Sequence, residues 1–136
     1  MLIKDFDHPY VFFSLRDGIL CMTYRSGLII DRKMAMEIVA TRLRIFNERD
    51  YPLLILDQGI VSMDKDARDF FASREGSSGL NSAAMVLKSV FSKVLGNFFL
   101  KVHPPHMPVR IFNEEEKAMA WLEQFKEVPE LLKVSA

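Results

Sequence analysis

The sequence predicts one α/β domain with a mixed sheet of about five strands and four helices. Short β-branched and aromatic runs alternate along the chain with segments of helical period. The run at 53–56, which follows Pro52, is continuously apolar, as strands covered on both faces require. Asp17 and Gly18 separate two apolar runs near the N-terminus, which is a strong signal for a β-hairpin.

Length and charge narrow the class of protein. The chain has 136 residues, of which 18 are basic and 18 acidic. This length suits one domain over residues 1–136, with a lead-in at 1–8 and a tail at 127–136. The even charge balance gives no reason to expect nucleic acid as a partner. No run approaches the roughly 18 apolar residues of a membrane-spanning helix, and the N-terminus lacks a signal peptide, so we expect a cytoplasmic protein.

The first half of the chain predicts a hairpin followed by a helix. Residues 10–15 and 18–24 are predicted to form the antiparallel pair, and 28–30 a short extended segment. Asp31 is placed to cap the first helix. The apolar residues of that helix fall on one face: Ala35, Ile38, Val39, Leu43 and Phe46.

The second helix follows the central strand at 53–56. It is predicted to start near 62–64 and to bury Ala67, Phe70 and Phe71. Gly76 suits the left-handed position just after a helix, so we expect the helix to end before it. A loop rich in glycine and serine then leads to the next strand at 83–87.

Two further helices complete the predicted domain. Ser89 is placed to cap the third helix at 90–102, and the last strand is at 109–112. Asn113 and the acids after it predict a capped start for the fourth helix, with a capping box. The inward face of this helix consists of Ala118, Trp121, Leu122 and Phe125.

This layout resembles the STAS domains, the family of bacterial anti-sigma factor antagonists. The resemblance covers nearly the whole chain and depends on the hairpin start, the PLLILD strand at 52–57 and the helix entrance that follows it. An acidic turn leading to Ala118 and to Trp121-Leu122 is similar to the STAS/SEC14-like, sporulation-antagonist-like proteins. The resemblance implies an α/β fold and points to a bacterial subgroup without assigned biochemistry.

The resemblance also implies a place for a regulatory site. In the regulatory STAS proteins a partner kinase phosphorylates the second serine of an Asp-Ser-Ser-Gly helix start. Aligning Asp64 with the family's aspartate places Lys65 and Asp66 over the two serines, so the phosphoacceptor is absent. Asp66 would act as a permanent mimic of phosphoserine; alternatively, Asp64 and Asp66 simply cap and solvate the helix start. Ser62 is a nearby candidate for modification or for capping.

Other site classes receive less support from the residues. Asp57 ends a buried strand as a receiver-domain phosphoacceptor does, but no second acidic pair accompanies it, so a loop-capping role is expected. His103 and His106 flank two prolines without the third ligand that a metal site needs. The nucleophile elbow and the glycine-rich phosphate loop are both missing from the sequence. We therefore expect no enzyme, no metal and no cofactor.

The predicted helix at 90–102 is apolar over an unusually wide arc. Phe99 and Leu100 exceed what one core face needs, so they would line a lipid or ligand pocket, touch a membrane or form a homodimer contact. Ordinary core packing is the alternative.

Two functions follow from these patterns. The leading hypothesis is a non-enzymatic STAS-like module for protein–protein contact, with a site at Asp57, Ser62, Asp64, Lys65 and Asp66. The competing hypothesis is a carrier or sensor of an apolar small molecule or lipid, with Phe98, Phe99, Leu100 and the methionines at its pocket. A preformed cavity favours the carrier, whereas a flat acidic patch over a dry core favours the interaction module.

Overall fold

The protein folds around one six-stranded mixed sheet. The structure is a computed structural model that describes residues 4–87 and 106–126. The strands are β1 (Asp5–Asp7), β2 (Val11–Arg16), β3 (Ile19–Tyr24), β4 (Ile29–Ile30), β5 (Tyr51–Asp57), β6 (Ser62–Met63), β7 (Leu80–Val86) and β8 (Val109–Phe112). The described helices are α1 (Arg32–Ile45), α2 (Lys65–Ala72) and α3 (Glu115–Leu122), and a 3-10 turn (Glu123–Phe125) follows α3.

The sheet combines an antiparallel and a parallel half. Its strand order is β1-β2-β3-β5-β7-β8, and β4 pairs separately with β6. The pairs β1–β2 and β2–β3 are antiparallel, whereas β3, β5, β7 and β8 run parallel to one another. The carboxyl ends of these parallel strands therefore lie at one edge of the sheet, where open α/β sheets place their binding sites.

The predicted hairpin is confirmed. Leu15 pairs with Leu20 and Arg16 with Ile19, so the turn has the two residues Asp17 and Gly18. Both have positive φ, 49° and 81°. Positive φ at both central positions is the type I′ geometry, which matches the twist of the two flanking strands.

The first helix also begins where the sequence indicates. The Asp31 carboxylate accepts a hydrogen bond from the Met34 backbone N–H at 2.9 Å, as an N-cap does. Ala35, Ile38 and Val39 are buried on the face that packs against the sheet. The helix starts and packs as the spacing of its apolar residues predicts.

The sheet separates two apolar clusters. The larger cluster lies on the face covered by α1 and α2 and includes Phe13, Leu53 and Phe70. The smaller cluster lies on the opposite face, where Ala118 and Leu122 of α3 pack on the sheet. Because helices cover both faces of the sheet, the central strand β5 has apolar side chains on both faces, and its sequence is a continuous apolar run.

The element counts differ slightly from those predicted. The lead-in at 1–8 contains β1, so the main sheet has six strands rather than about five. Three helices lie within the described residues. The predicted third helix at 90–102, its cap Ser89 and the tail at 127–136 lie outside them. Within the described ranges, none of the helices has the length and apolar character needed to cross a membrane.

Two predicted details at helix termini were wrong. Helix α2 ends at Ala72 with Ser73 as its C-cap, before Gly76 as predicted, but Gly76 does not have the positive φ of a left-handed residue. A Cβ on Gly76 would lie 1.9 Å from the Phe70 carbonyl oxygen, so a close backbone approach requires this glycine. At α3 the N-cap is Glu114 rather than Asn113, and it makes no side-chain capping bond, so the capping box does not form.

Strand β7 begins at Leu80, three residues before the predicted start at 83, and its first residues belong to the predicted loop. The Leu80 position pairs with Tyr51 at the beginning of β5. Pairing with β5 therefore extends β7 toward the glycine-rich segment. The local sequence does not encode this pairing, so the start of β7 could not be predicted from it.

Candidate functional site

A cavity of about 140 Å³ lies on the face of the sheet that α1 and α2 cover. Its floor is formed by side chains of the central strands, among them Met22, Leu53 and Met85. Ile60 from the β5–α2 connection and Phe71 from α2 also border it. The described wall is thus mostly apolar, as the walls of small-molecule sites usually are.

Asp57 is the acidic residue among those that line the cavity. It ends β5 opposite Tyr24 of β3, and its residue is only 3% exposed. Oδ1 accepts hydrogen bonds from the backbone N–H groups of Gly59 and Ile60, each at 2.8 Å. This confirms the predicted loop-capping role. Oδ2 is buried and makes no hydrogen bond within the part of the chain that the structure describes.

Arg42 and Tyr24 border the same cavity and are both buried. Arg42 Nη2 donates to the carbonyl oxygens of Gly76 at 3.3 Å and Ser78 at 2.5 Å, which ties α1 to the segment before β7. Burial lowers the pKa of the Arg42 guanidinium to about 10, because the charged form is desolvated. Burial raises the pKa of the Tyr24 hydroxyl to about 12, and the charge of Arg42 opposes that shift.

Sequence reasoning missed Arg42. It occupies the helical stripe that also contains Ala35, Ile38 and Val39, since it lies seven residues after the first of these and four after the second. A charged residue in an apolar stripe is the signal that identifies it, because arginine is rarely buried without a purpose.

Ser77 and His106 form a second polar contact at the cavity. Ser77 Oγ lies 2.7 Å from His106 Nε2 and also donates to the Ser73 carbonyl oxygen at 2.8 Å. A hydroxyl has one proton, so with that proton on the carbonyl, His106 Nε2 is the donor to Ser77. The pair therefore links the segment before β7 to the segment before β8 at the cavity wall.

The predicted helix-entrance residues lie on the solvent side of the same connection. Asp64 is the N-cap of α2, and its Oδ1 accepts from the Ala67 N–H at 2.8 Å. Lys65 pairs with Asp69 at 2.8 Å, while Asp66 is exposed in the first turn. Ser62 is half-buried in β6 and does not cap the helix. The structure thus separates these four residues from Asp57, which is in the cavity wall.

Two exposed apolar side chains accompany the helix entrance. Ile29 of β4 is 66% exposed and Val61 is 54% exposed. The two segments are held together, since Val61 N–H donates to the Leu28 carbonyl at 2.8 Å and Ile29 pairs with Ser62. Ile29 and Val61 thus belong to two segments that are bonded to each other.

Four further predicted positions, Phe98, Phe99, Leu100 and His103, lie outside the described residues. Across 4–87 and 106–126, no group of three or more His, Cys, Asp or Glu side chains is arranged to hold a metal ion. Cys21 is buried on the α3 face, where its sulfur accepts from Arg16 Nε at 3.1 Å.

Comparisons with known proteins identify the family and the fold. Residues 13–126 match the family described as Domain of unknown function (DUF7793), so the chain belongs to that family. Its structure is similar to the crystal structure of an uncharacterized protein of the DUF3478 family, with a SpoIIAA-like fold, from Shewanella loihica PV-4. The TM-score is 0.53 at 10% identity, over 89% of this chain and 92% of that one. This similarity confirms the STAS-like fold and nothing more. No protein of curated function matches the sequence.

Proposed function

We propose that this chain, a STAS-like member of a domain family of unknown function, binds a small, mostly apolar molecule in the cavity between its sheet and helices. The observation that carries the proposal is the preformed cavity of about 140 Å³. An engineered apolar cavity of about 150 Å³ binds benzene, so this volume suits a molecule near the size of one aromatic ring.

The role is that of a sensor or carrier rather than of a catalyst. Ser77 donates its proton to a carbonyl, so the serine–histidine pair at the wall lacks the polarity of a nucleophile and its base. The β5–α2 connection supports sensing, because Ile60 and Met63 border the cavity while Val61 and Asp64 are exposed. A ligand that contacts Ile60 and Met63 in the cavity would therefore bias the positions of the exposed residues Val61 and Asp64.

Two neighbouring alanines of β7 provide a matched test. Ala83 borders the cavity, whereas Ala84 packs on the opposite face with Ala118 and Leu122. We expect Ala83→Leu to fill part of the cavity and to weaken toluene binding at least about tenfold, measured by ligand-detected NMR. Ala84→Leu makes the same chemical change outside the cavity and should leave the affinity for toluene within about twofold of wild type.

The outcomes distinguish the proposal from its failure. Toluene binding that Ala83→Leu alone weakens supports the cavity as the site. If wild-type protein does not bind toluene, or if both leucine variants bind it as wild type does, the proposed function is wrong.

A second candidate function is protein–protein contact at the helix entrance, as the leading sequence hypothesis has it. The specific observation in its favour is that two apolar side chains, Ile29 of β4 and Val61 just before β6, are exposed on the paired segments that precede the exposed acids Asp64 and Asp66. A partner with a small apolar patch and a basic group would complement this surface. Asp66 would then act as a fixed negative charge rather than as a phosphorylation switch.

A photoreactive amino acid at Val61 tests this second function. The cross-linked protein would be identified, purified and titrated with the wild-type chain. Ile29→Ser and Asp66→Lys should each weaken that binding at least about tenfold, since hot-spot changes at an interface cost this much or more. Met36→Ser, at a 45% exposed position on α1, is the control and should leave it unchanged. Equal binding by all three variants contradicts the assignment.

A further inference from the structure

We infer that the molecule bound in the cavity is a monocarboxylate: an apolar body about the size of one aromatic ring whose carboxylate is held by the guanidinium of Arg42. This inference rests on the proposed function and specifies the chemical class of the ligand.

The first step of the argument is that Arg42 uses only part of its donor capacity within the protein. A guanidinium has five N–H donors. Nη2 donates to the carbonyl oxygens of Gly76 and Ser78, whereas Nε and Nη1 donate to no residue that the structure describes. Unlike Asp57 Oδ2, neither nitrogen is a sealed atom of the described residues. Arg42 is 3% exposed and borders the cavity, so the cavity is where a ligand can reach these donors.

The second step is that the charge of Arg42 has no counter-ion in the described wall. Across 4–87 and 106–126, no aspartate or glutamate forms an ion pair with Arg42, whose partners there are neutral carbonyls. Burial lowers the pKa of the guanidinium to about 10, so it stays charged at neutral pH. The Tyr24 hydroxyl, whose pKa burial raises to about 12, is neutral there. Because a buried charge is costly without an opposite charge, an anionic ligand would stabilise this wall.

The third step concerns the other charged groups of the lining. Asp57 is its acidic residue, but its Oδ1 accepts two backbone N–H groups of the loop after β5, and its Oδ2 is sealed from the cavity. His106, the other basic side chain, is exposed, and its Nε2 bonds Ser77. Arg42 is therefore the buried cation of the described wall that can receive an anion.

The fourth step is that the guanidinium is held in place before any ligand arrives. The two bonds from Nη2 join α1 to the segment before β7 and restrict the side chain. A preorganised cation loses little free energy to ordering when it binds an anion. The rest of the wall is mostly apolar, with Met22, Leu53 and Met85 at its floor. An apolar floor with one fixed cation suits an apolar acid better than a hydrocarbon or a polar anion.

Benzoate and benzamide form the matched ligand pair for a test, because they have nearly the same shape and differ in charge. We expect wild-type protein to bind benzoate at least about tenfold more tightly than benzamide, as hydrogen bonds between charged groups imply. Affinities are measured by ligand-detected NMR at pH 7 with each compound used alone, and toluene is the apolar reference.

Arg42→Gln is the variant that isolates the charge. Glutamine retains an NH₂ group that can donate to a backbone carbonyl, but it is neutral. The preference for benzoate over benzamide should fall at least about tenfold, while toluene affinity should stay within about twofold of wild type. Arg44→Gln makes the same change at an exposed position of α1 and should leave all three affinities unchanged. Melting temperatures show that both variants are folded.

A second measurement uses the wild-type protein alone, so it decides the question even if Arg42→Gln does not fold. The side-chain Nε–H resonance of Arg42 is followed in ¹H–¹⁵N spectra during titration with benzoate. It should move as benzoate binds, because the carboxylate approaches the guanidinium, whereas the Arg44 resonance should stay in place. An Arg42 resonance that saturating benzoate does not move contradicts the inference.

Each outcome decides between the two levels of the account. A benzoate preference that Arg42→Gln alone removes supports the inference. Toluene binding without a preference for benzoate over benzamide overturns the inference but leaves the apolar cavity as a site. A benzoate preference unchanged in a folded Arg42→Gln variant overturns the role of Arg42. Binding of none of the three compounds overturns the proposed function and the inference together.

Discussion

Ala83 and Ala84 are neighbours in β7 whose side chains lie on opposite faces of the sheet. Ala83 belongs to the apolar cluster beneath α1 and α2, and Ala84 belongs to the cluster beneath α3. In register they pair with Leu53 and Leu54 of β5, which divide between the two clusters in the same way. Only the Ala83 face borders the cavity in the part of the chain that the structure describes.

This relationship predicts different stabilities for two otherwise equal substitutions. Ala84→Leu inserts three carbon atoms into a packed face and should lower the free energy of unfolding by about 1–3 kcal/mol. Ala83→Leu places the same atoms in existing space, so it should cost at least about 1 kcal/mol less than its neighbour. Urea unfolding of both variants measures the difference, and an equal loss at the two positions would argue against the cavity.

The capping role of Asp64 predicts the stability of the α2 start. Asp64→Ala removes the acceptor of the Ala67 N–H and should lower the free energy of unfolding by about 1 kcal/mol. Asp66→Ala, an exposed first-turn acid, should change it by less than about 0.5 kcal/mol, since alanine's helix propensity offsets the lost dipole interaction. Urea unfolding at neutral pH measures both free energies. If Asp66→Ala lowered the free energy of unfolding more than Asp64→Ala, Asp64 would not be the main cap of α2.

Tyr24 predicts a loss of stability at high pH. Burial raises the pKa of its hydroxyl from 10 to about 12, so the folded protein keeps a proton that the unfolded chain releases. The contribution of the neutral Tyr24 hydroxyl to the free energy of unfolding is therefore complete below about pH 10. It is lost as the pH rises through about 12. This stabilisation amounts to about 3 kcal/mol.

The Tyr24→Phe variant isolates that contribution. Its free energy of unfolding should fall less steeply than that of wild type between about pH 9 and pH 12. A tyrosinate absorbance titration of the folded proteins gives the second readout, in which the variant lacks the late step near pH 12. Identical pH dependence for the two proteins would show that Tyr24 titrates as an exposed tyrosine does.

Local chemistry explains which parts of the fold the sequence predicts. The hairpin at Asp17-Gly18, the cap at Asp31 and the buried strand β5 each have a signal within a few residues. Strand β1 lacks such a signal, because Asp5–Asp7 is three residues long and mostly acidic, and only its pairing with β2 makes it a strand. Strand β6 is two residues long and likewise exists through its partner β4.

The site is less predictable because its contacts join distant parts of the chain. Asp57 and the loop it caps are within three residues, so that contact can be predicted. Arg42 reaches carbonyls more than thirty residues away, and Ser77 meets His106 across 29 residues. Only the folded sheet brings these groups to one cavity wall, and the cavity itself is a property of packing that no sequence period describes.

Methionine methyl groups provide the most direct test that the cavity is the binding site. Of the methionines within the described residues, four border it: Met22, Met63, Met85 and Met107. Met36 is exposed on α1, and Met119 packs on the α3 face, so these two serve as internal controls. The measurement is intermolecular NOEs between bound toluene and ¹³C-labelled methionine methyls. The account predicts NOEs to the four cavity methionines and none to Met36 or Met119; NOEs confined to those two, or no NOEs at saturating toluene, would contradict it.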